Sequence, residues 1–337
     1  MKMKKTYLGM EIGSSELKLA VCIDDKIKKI VSEKLPSHLV ENEVIVEWDK
    51  LAVFIKQTIK KHNITCKNVA LVLPEEIAYA RRFIMPYMTI SQLKFNLPFE
   101  FHDFTGTEKD KYIYDYAVMD IIEEEENGTM VKKIDLMAAA ISREIMEKYR
   151  AMLKKCGLKL KIAAPQSSAY QNIVKKHINF VHSEKVGDYA IIDIEKDSAN
   201  LRIFTEGKYE SSREMETGIE KVIQIISDIL NIDKNPAEKY LLKNEGDALY
   251  AEECMAVYSQ IALETMRVIN FFLYNHPNNA LDTLYCCGLG ANIDPLLNIL
   301  EETVGLKVRK LHELFDYVAE EEMEITSSAA AVGITWN

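Results

Sequence analysis

Near the N-terminus, apolar positions follow the pattern of a β-hairpin. An apolar strand over residues 7–12 stops at Gly13, and the chain then turns back into a second apolar strand. Much later, residues 189–194 form another apolar run that leads, after a short turn, into a returning strand. The first strand of each hairpin carries an acidic residue, Glu11 in one and Asp193 in the other. This repetition predicts a molecule built from two related halves.

The segments between the hairpins alternate between helix and strand patterns. Apolar residues recur at helical spacing over residues 49–62, and a buried strand is predicted at residues 68–73. From about residue 77 the pattern changes to long strands with two helices, which predicts a small inserted domain. Its predicted strands are residues 78–85, 112–122 and 132–141, and its predicted helices are residues 91–101 and 144–155.

The predicted fold class is therefore α/β, with two lobes and a small α+β domain inserted in the first lobe. Long helical patterns at residues 236–245 and 247–273 predict a helical subdomain at about residues 232–280 of the second lobe. The predicted boundaries are residues 1–77 and 158–185 for the first lobe, 78–157 for the inserted domain and 186–337 for the second lobe.

The turn of the first hairpin suits an anion. Gly13 tolerates a positive φ, and Ser14 and Ser15 offer backbone N–H and hydroxyl groups that could hold a phosphate. An acidic side chain at the end of the strand is placed to orient a hydrated divalent cation. Near the C-terminus, a strand over residues 283–287 runs into a glycine turn and then a helix. Each turn is common on its own, so the prediction depends on their order along the chain.

Composition and charge exclude several classes of protein. The chain of 337 residues has a formal net charge of −10 at pH 7, and its lysines are scattered among acids, which argues against nucleic-acid binding. Its six cysteines show no Cys-x-x-Cys spacing, so neither zinc nor a disulfide framework is predicted. The basic N-terminus fails as a signal peptide, and no stretch approaches the roughly 18 apolar residues of a membrane span. We predict a cytoplasmic protein.

The two hairpins and the later glycine turn, in this order, resemble the phosphate and adenosine loops of the actin-like superfamily, whose fold is ribonuclease H-like. A small strand-and-helix domain of the SHS2 type, inserted in the first lobe, is typical of the FtsA and PilM group. Over nearly its whole length the chain resembles the PilM family, the actin-like proteins of the type IV pilus inner-membrane platform. The residues that carry this resemblance are Leu8-Gly9 through Lys18, Leu35-Pro36, residues 42–45, residues 82–86, Asp115-Tyr116, residues 137–140, Arg213-Glu214, Gly218, Ala237-Glu238 and residues 330–333.

The resemblance implies a nucleotide site between the lobes. The turn at residues 13–15 and Lys18 would meet the β- and γ-phosphates, while Glu11 and Asp193 would hold magnesium through water. Glu238 would bind the ribose, and two glycines in the late turn would let the backbone approach the adenosine. The nucleotide-binding residues implied are Glu11, Gly13, Ser14, Ser15, Lys18, Asp193, Glu195, Gly218, Glu238, Gly288, Gly290 and Ala291.

Five departures from the family pattern argue against an intact site for ATP and magnesium. The most serious is Glu195, where the family has glycine. A carboxylate there would face the phosphates, and two unit charges ~4 Å apart repel by roughly 4 kcal/mol at an effective dielectric of about 20. The other departures are Glu11 in place of an aspartate, Thr217, Leu241 and Leu289. The alternative is that Glu195 turns outward and the remaining differences are drift.

The resemblance further implies a scaffold rather than a catalyst. Such a protein would bind the N-terminal cytoplasmic segment of PilN, a membrane-anchored platform protein, in a groove between the first lobe and the inserted domain. It would lie at the inner face of the cell membrane through its partners, with pilus motor ATPases as further partners. ATP would act as a lobe-closing ligand rather than as fuel. The predicted groove residues are Arg82, Phe83, Met85, Leu93 and Leu97.

Three alternatives remain. FtsA shares the inserted domain, but it uses an amphipathic helix beyond the core as a membrane tether, and this chain stops at Trp336-Asn337. An actin-like ATPase or phosphotransferase would need a catalytic carboxylate and a substrate pocket, and the sequence shows no second site of that kind. A chaperone-like protein of the EutJ branch would lack an inserted domain of this type.

Overall fold

A computed structural model describes residues 5–41, 44–126, 128–181, 187–244, 246–315 and 322–336 of the chain. The strands within these ranges are β1 (Thr6–Ile12), β2 (Glu16–Ile23), β3 (Lys26–Lys34), β4 (Val40–Glu41), β5 (Val44–Ile45), β6 (Asn68–Leu73), β7 (Ala78–Pro86), β8 (Tyr112–Glu126), β9 (Thr129–Ser142), β10 (Lys159–Pro165), β11 (Tyr189–Ile194), β12 (Ala199–Thr205), β13 (Lys208–Met215), β14 (Thr283–Cys287) and β15 (Lys307–Lys310).

The helices connect and cover these strands. They are α1 (Trp48–Lys61), α2 (Ile90–Glu100), α3 (His102–Thr105), α4 (Arg143–Lys155), α5 (Gln166–Val181), α6 (Glu220–Leu230), α7 (Lys234–Leu242), α8 (Glu252–Asn275), α9 (Asp294–Val304), α10 (Glu322–Ser327) and α11 (Ala329–Gly333). Within the described ranges, none of the helices combines the length and the apolar character that crossing a bilayer requires.

Two five-stranded sheets have the same strand order, β10-β6-β1-β2-β3 in one and β15-β14-β11-β12-β13 in the other. In each sheet the hairpin strands are antiparallel, and the next strand in the order runs parallel to the first strand of the hairpin. The same order and the same strand directions confirm the predicted two-lobed α/β fold with related halves.

The inserted domain is a three-stranded antiparallel sheet, in the order β7-β9-β8, covered by α2. Helix α4, which the sequence places in this domain, instead turns its apolar face into the core of the first lobe. Its Met146, Tyr149 and Leu153 are buried there with Leu51 and Ile55 of α1. We therefore propose that the inserted domain ends with β9, and the other predicted boundaries stay proposals.

Helices α5 and α11 pack between the two sheets and hold the lobes together. Their small and apolar residues form one buried cluster with the facing sides of both sheets. Close approach is needed here, because a Cβ added to Gly9 of β1 would lie 1.7 Å from the carbonyl oxygen of Ala331 in α11. Glycine at position 9 is thus required by the contact between the last helix and the central strand.

Replacing Gly9 with alanine should destabilise the protein by about 3 kcal/mol or more, because the added methyl group overlaps backbone that cannot move without shifting α11. Gly187→Ala is the matched control, since none of the described residues other than its chain neighbours has an atom within 4 Å of the added Cβ. Urea unfolding of both variants measures the difference. Equal stability of the two variants would contradict this description of the α11 contact.

The long helix predicted over residues 247–273 is interrupted. Residues Asp247–Tyr250 form a 3-10 turn, and Ala251 adopts an extended conformation (φ −59°, ψ 145°) before α8 begins. The apolar spacing continues across this break because Ala248 and Leu249 are buried in the same core as the start of α8. Periodicity therefore located the buried face but not the helix boundary.

Candidate functional site

The turns that follow β1 and β11 have the same hydrogen bond. The backbone N–H of Gly13 donates to the carbonyl oxygen of Glu16 at 3.0 Å, and that of Glu195 donates to the carbonyl oxygen of Ser198 at 2.9 Å. Glu195 therefore has, in the second lobe, the position that Gly13 has in the first. A carboxylate at this position is carried by a tight turn that faces the cleft between the lobes.

Glu195 points into the cleft and binds Lys18 of the other lobe. The ammonium group of Lys18 donates a hydrogen bond to the Glu195 carboxylate. The lysine side chain is 5% exposed and the glutamate side chain 27% exposed. The outward orientation considered for Glu195 is not the one in the structure. The lysine that the family resemblance assigns to a phosphate is already paired with an acidic side chain.

The carboxyl groups of Glu195 and Glu11, close to Lys18, hold their protons more tightly than usual. Burial raises the pKa of the Glu195 carboxyl to about 8, against the opposing effect of Lys18, and Asp193 adds to the rise. Burial also raises the pKa of Glu11. Burial alone would lower the pKa of Lys18, but the carboxylates of Glu195, Glu11 and Asp193 outweigh it, so this pKa is raised and the lysine stays charged.

Asp193 is held by hydrogen bonds rather than free to orient a metal. The hydroxyl of Tyr170 donates to its carboxylate at 2.7 Å, and the guanidinium of Arg202 lies 4.0 Å away. The amide of Gln166 lies between the two candidate metal carboxylates, donating to Glu11 at 3.2 Å and to Asp193 at 3.4 Å.

This arrangement does not fit magnesium, which needs an octahedral shell of oxygen ligands, several of them water. The two carboxylates are bridged by an amide N–H group and neutralised by neighbouring cations. Among the residues that the structure describes, no group of three or more His, Cys, Asp or Glu side chains is placed to hold a metal ion.

Arg202 is the centre of a buried network that the sequence interpretation missed. Its side chain is fully buried, donates to Glu75 at 3.3 Å and to Gln166, and lies over the ring of Tyr170 at 4.6 Å. Burial opposes its charge, but the carboxylate of Glu75 and other neighbours outweigh that effect and raise its pKa. The sequence did contain one indication of this network. Arg202 is a charged residue in the middle of the apolar strand β12, and a buried charge needs a partner.

The late glycine turn packs against the end of β11. Gly288 has a φ of +77°, and a Cβ there would lie 2.6 Å from the carboxylate of Asp193 and 2.5 Å from the carbonyl oxygen of Ile194. A Cβ on Gly290 would lie 2.6 Å from the Ile194 side chain. Both glycines are therefore required by the packing of this turn on β11, whether or not a nucleotide binds.

Several other predicted positions are in the interior of the second lobe. They are fully or almost fully buried and belong to its hydrophobic core, so their side chains do not line the cleft. These positions are Ala291, Leu241 and Leu289. Two of the departures from the family pattern are thus apolar residues that contribute to core packing.

The outer part of the cleft is crossed by a second ion pair. The ammonium group of Lys34 lies 2.6 Å from the buried carboxylate of Glu238, the residue predicted to bind a ribose, and Lys196 lies 4.0 Å from it. Gly218 lies behind the second turn, where a Cβ would be 2.4 Å from the carbonyl oxygen of Lys196. In the Lys34–Glu238 pair, as in the Lys18–Glu195 pair, the lysine belongs to the first lobe and the glutamate to the second lobe.

These contacts leave little room at the phosphate end of the cleft. The cavity between the two turns, lined by Ser14, Ser15 and the Lys18–Glu195 pair, has a volume of about 40 Å³. A larger and more open pocket of about 510 Å³ lies farther out, beside the Lys34–Glu238 pair. The inner cavity has room for about one or two water molecules rather than for a triphosphate.

Four of the five predicted peptide-groove residues pack into the core of the inserted domain. Met85, Leu93 and Leu97 are buried in the core of the inserted domain, and Phe83 packs there against Phe101 with 5.4 Å between ring centroids. The apolar spacing in α2 serves the domain's own core, which is the physical reason for this correction.

Arg82, the fifth of these residues, connects the inserted domain to the second lobe. Its guanidinium donates to both carboxylate oxygens of the buried Asp135, at 2.8 and 2.7 Å. It also donates to Thr205 at 3.0 Å and to Glu210, both in the second lobe. Arg82 is therefore committed to an interface between domains and is not available at a groove.

A groove does lie between the inserted domain and the first lobe, with a volume of about 230 Å³. One wall is β10 and the other is β8, and each is the outermost strand of its sheet. The buried floor is apolar, and Ala139 and Ala163 are small residues that open it. Its charged residues, all exposed, are Asp115, Arg150 and Lys161.

The family of this chain is decided by its sequence match. Residues 9–331 match the family described as type IV pilus assembly protein PilM. The chain belongs to the PilM family. This assignment separates it from FtsA, the nearest alternative with the same inserted domain. It also confirms the resemblance that the hairpins, the inserted domain and the late glycine turn indicated.

Solved structures agree with the PilM assignment in fold. A structure of a PilM–PilN type IV pilus biogenesis complex has a TM-score of 0.79 at 19% identity, covering 98% of this chain and 97% of that chain. EutJ, an ethanolamine utilization protein from Carboxydothermus hydrogenoformans, has a TM-score of 0.54 at 10% identity, with 98% and 90% covered. MreB5 of Spiroplasma citri bound to ADP has a TM-score of 0.51 at 12% identity, with 97% and 94% covered. A search of curated protein sequences returned no significant match.

In this PilM family member, the raised pKa of Glu195 makes stability depend on pH. In the folded protein the Glu195 carboxyl has a pKa of about 8, whereas its ordinary value is 4.5. The folded state therefore binds this proton more tightly than the unfolded state does. The resulting contribution to the free energy of unfolding is lost as the pH rises from about 5 to 8. Glu195→Gln does not titrate, so its stability relative to the natural protein should improve over this range by roughly 1 to 3 kcal/mol. Thermal unfolding at both pH values measures this. A relative loss for the variant would mean that Lys18 instead holds the carboxyl ionised.

Proposed function

We propose that this protein is a scaffold of the type IV pilus inner-membrane platform, and that it binds the N-terminal cytoplasmic segment of PilN. Membership of the PilM family and the likeness in fold to a PilM–PilN complex support this function. The observation that carries the proposal is the apolar groove between the first lobe and the inserted domain. Binding there would place the protein at the cytoplasmic face of the membrane through its partner.

The groove suits an extended segment. The outermost strands β8 and β10 form its walls, so a peptide lying between them could pair its backbone with either strand edge. Small side chains at Ala139 and Ala163 leave space for apolar side chains of the peptide, and Asp115, Arg150 and Lys161 offer charges at the rim. Backbone pairing would supply affinity, and the apolar floor would supply specificity.

Nucleotide has a secondary role in this proposal. The Lys18–Glu195 and Lys34–Glu238 pairs join the lobes across the cleft, at positions where ATP would otherwise be expected to bind. We propose that these pairs provide the lobe closure that ATP would supply, so that peptide binding needs no nucleotide. A phosphotransferase is disfavoured because the carboxylate of Asp193 is held by Tyr170 and Gln166. Contact with pilus motor ATPases remains an expectation of the family resemblance.

Hydrogen–deuterium exchange tests the location of the peptide. Adding the synthetic N-terminal segment of the PilN encoded with this protein should slow exchange of backbone amides in β10 and in residues 112–115 of β8. Exchange in β15, at the far edge of the second lobe, should not change and is the internal control. Protection confined to the cleft turns at residues 13–15 and 195–198 would contradict the proposed groove.

A further inference from the structure

The second lobe has a separate groove along its outer edge, formed by β13 and the C-terminal part of α8. Its volume is about 660 Å³. Strand β13 is an edge strand of its sheet, and its residues from Ser211 to Glu214 are exposed or half-buried. A strand edge beside a helix is a geometry to which an extended peptide can add as a further strand.

The helix side of this groove carries an apolar patch. Phe271 is 73% exposed although it is a large aromatic residue, and Val268 lies one helical turn before it. The floor is formed by the buried Phe272, whose ring stacks on His276 with 4.5 Å between centroids. An exposed aromatic ring above an apolar floor offers a position for one apolar side chain of a partner.

Two arginines flank the groove, Arg213 on β13 and Arg267 on α8. Within the described parts of the chain, no carboxylate lies within ion-pair distance of Arg213 on β13 or of Arg267 on α8. Glu210 also lines the groove, but its carboxylate is engaged by Arg82 and Thr205. The other arginines each contact a carboxylate, a carbonyl oxygen or an aromatic ring: Arg81, Arg82, Arg143, Arg150, Arg202 and Arg309.

One solvated arginine on a surface needs no explanation. Here, however, two arginines with no ion-pair partner among the described residues lie on opposite walls of one groove beside the edge strand β13, in a chain with a net charge of −10. Positive charge, an exposed aromatic ring and the edge of a sheet are complementary to an extended acidic segment with an apolar residue.

We propose that this groove binds an extended, acidic peptide segment of a partner protein. The segment pairs with the edge of β13, places an apolar side chain against Phe271 and sets its carboxylates beside Arg213 and Arg267. This surface is distinct from the groove proposed for PilN, which lies between the first lobe and the inserted domain. The protein would thus hold two extended segments at once, one on each lobe.

A displayed library of random peptides tests the proposal without a known partner. Selection against the natural protein should enrich sequences with several acidic residues around one apolar residue. The Arg213→Glu/Arg267→Glu double variant should lose at least tenfold in binding of the enriched peptides, measured by fluorescence polarisation with the purified synthetic peptide. Phe271→Ser should also weaken binding of these peptides. A higher salt concentration should weaken it too, because ions screen the contacts between the arginines and the acidic residues of the peptide.

Lys307→Glu is the matched control, because it reverses an exposed charge on β15, the opposite edge of the same sheet. It should bind the selected peptides as the natural protein does, and circular dichroism checks that all variants are folded. The proposal is overturned if no acidic sequences are enriched, or if the double variant and Lys307→Glu bind them equally. Concentration-dependent self-association that the double variant abolishes would assign the groove to a second copy of this chain and would also overturn it.

Discussion

Replacing Glu195 with glycine should raise the affinity of the protein for ATP, supplied with magnesium, by at least about tenfold, equivalent to about 1.4 kcal/mol. In the natural protein the Glu195 carboxylate engages Lys18 and faces a cavity of only about 40 Å³. Glycine frees the ammonium group for a phosphate and removes the acidic side chain that occupies the turn. The backbone should tolerate this change because Gly13 occupies the equivalent turn of the first lobe.

Calorimetric titration of the natural and variant proteins measures the difference. Glu206→Gly is the matched control, because Glu206 is an exposed residue of the same lobe outside the cleft, in a turn with a φ of 50° that glycine accepts. It should leave ATP affinity unchanged. Equal ATP affinity for the natural protein and for Glu195→Gly would show that the carboxylate does not obstruct the phosphate site.

Replacing Ala139 with tryptophan should reduce the affinity for the PilN segment by at least about tenfold, and ATP affinity should not change. Ala139 lies in the central strand of the inserted sheet and lines the groove, so a large ring there would occupy the space that a peptide side chain needs. Ala163→Trp introduces the same ring from the opposite wall, on β10, and should have the same effect.

The control for both groove variants is Ala151→Trp, an exposed position on α4 beside the groove but not lining it. Fluorescence anisotropy with a labelled PilN segment compares the variants, after thermal unfolding has shown that each is folded. Normal binding by both Ala139→Trp and Ala163→Trp would exclude the groove as the site. A loss in Ala151→Trp as large as theirs would show that the effect is not local.

The two-lobed fold could be predicted because its signal is local and repeated. Each lobe begins with an apolar strand that carries an acidic residue and ends in a tight turn, and the structure gives both turns the same hydrogen bond. Glu195 was also identifiable as an unusual residue, since its position is equivalent to that of Gly13. Its partner was not, because pairing with Lys18 depends on how closely the lobes approach across the cleft.

The interior of the cleft and the peptide groove could not be predicted from the sequence, because they too depend on how separate parts of the chain approach each other in the fold. Gln166 and Tyr170, one helical turn apart on α5, meet Glu75 around Arg202 of β12, and no spacing along the chain links these three segments. In the inserted domain, Leu93 was assigned to a groove by the family resemblance, and the sequence held no residue-level signal for that role. Apolar residues lie on all sides of α2, with Phe95 and Phe99 exposed, so the sequence did not show that Leu93 faces the domain's own sheet.

The measurement that tests the central claim most directly is a calorimetric titration of the natural protein with the PilN segment, in the presence and absence of ATP with magnesium. The account predicts that the peptide binds without nucleotide and with the same affinity in both conditions, because the Lys18–Glu195 and Lys34–Glu238 pairs already join the lobes. Failure of the peptide to bind, or binding only when ATP is present, would contradict a scaffold whose cleft is closed by its own side chains.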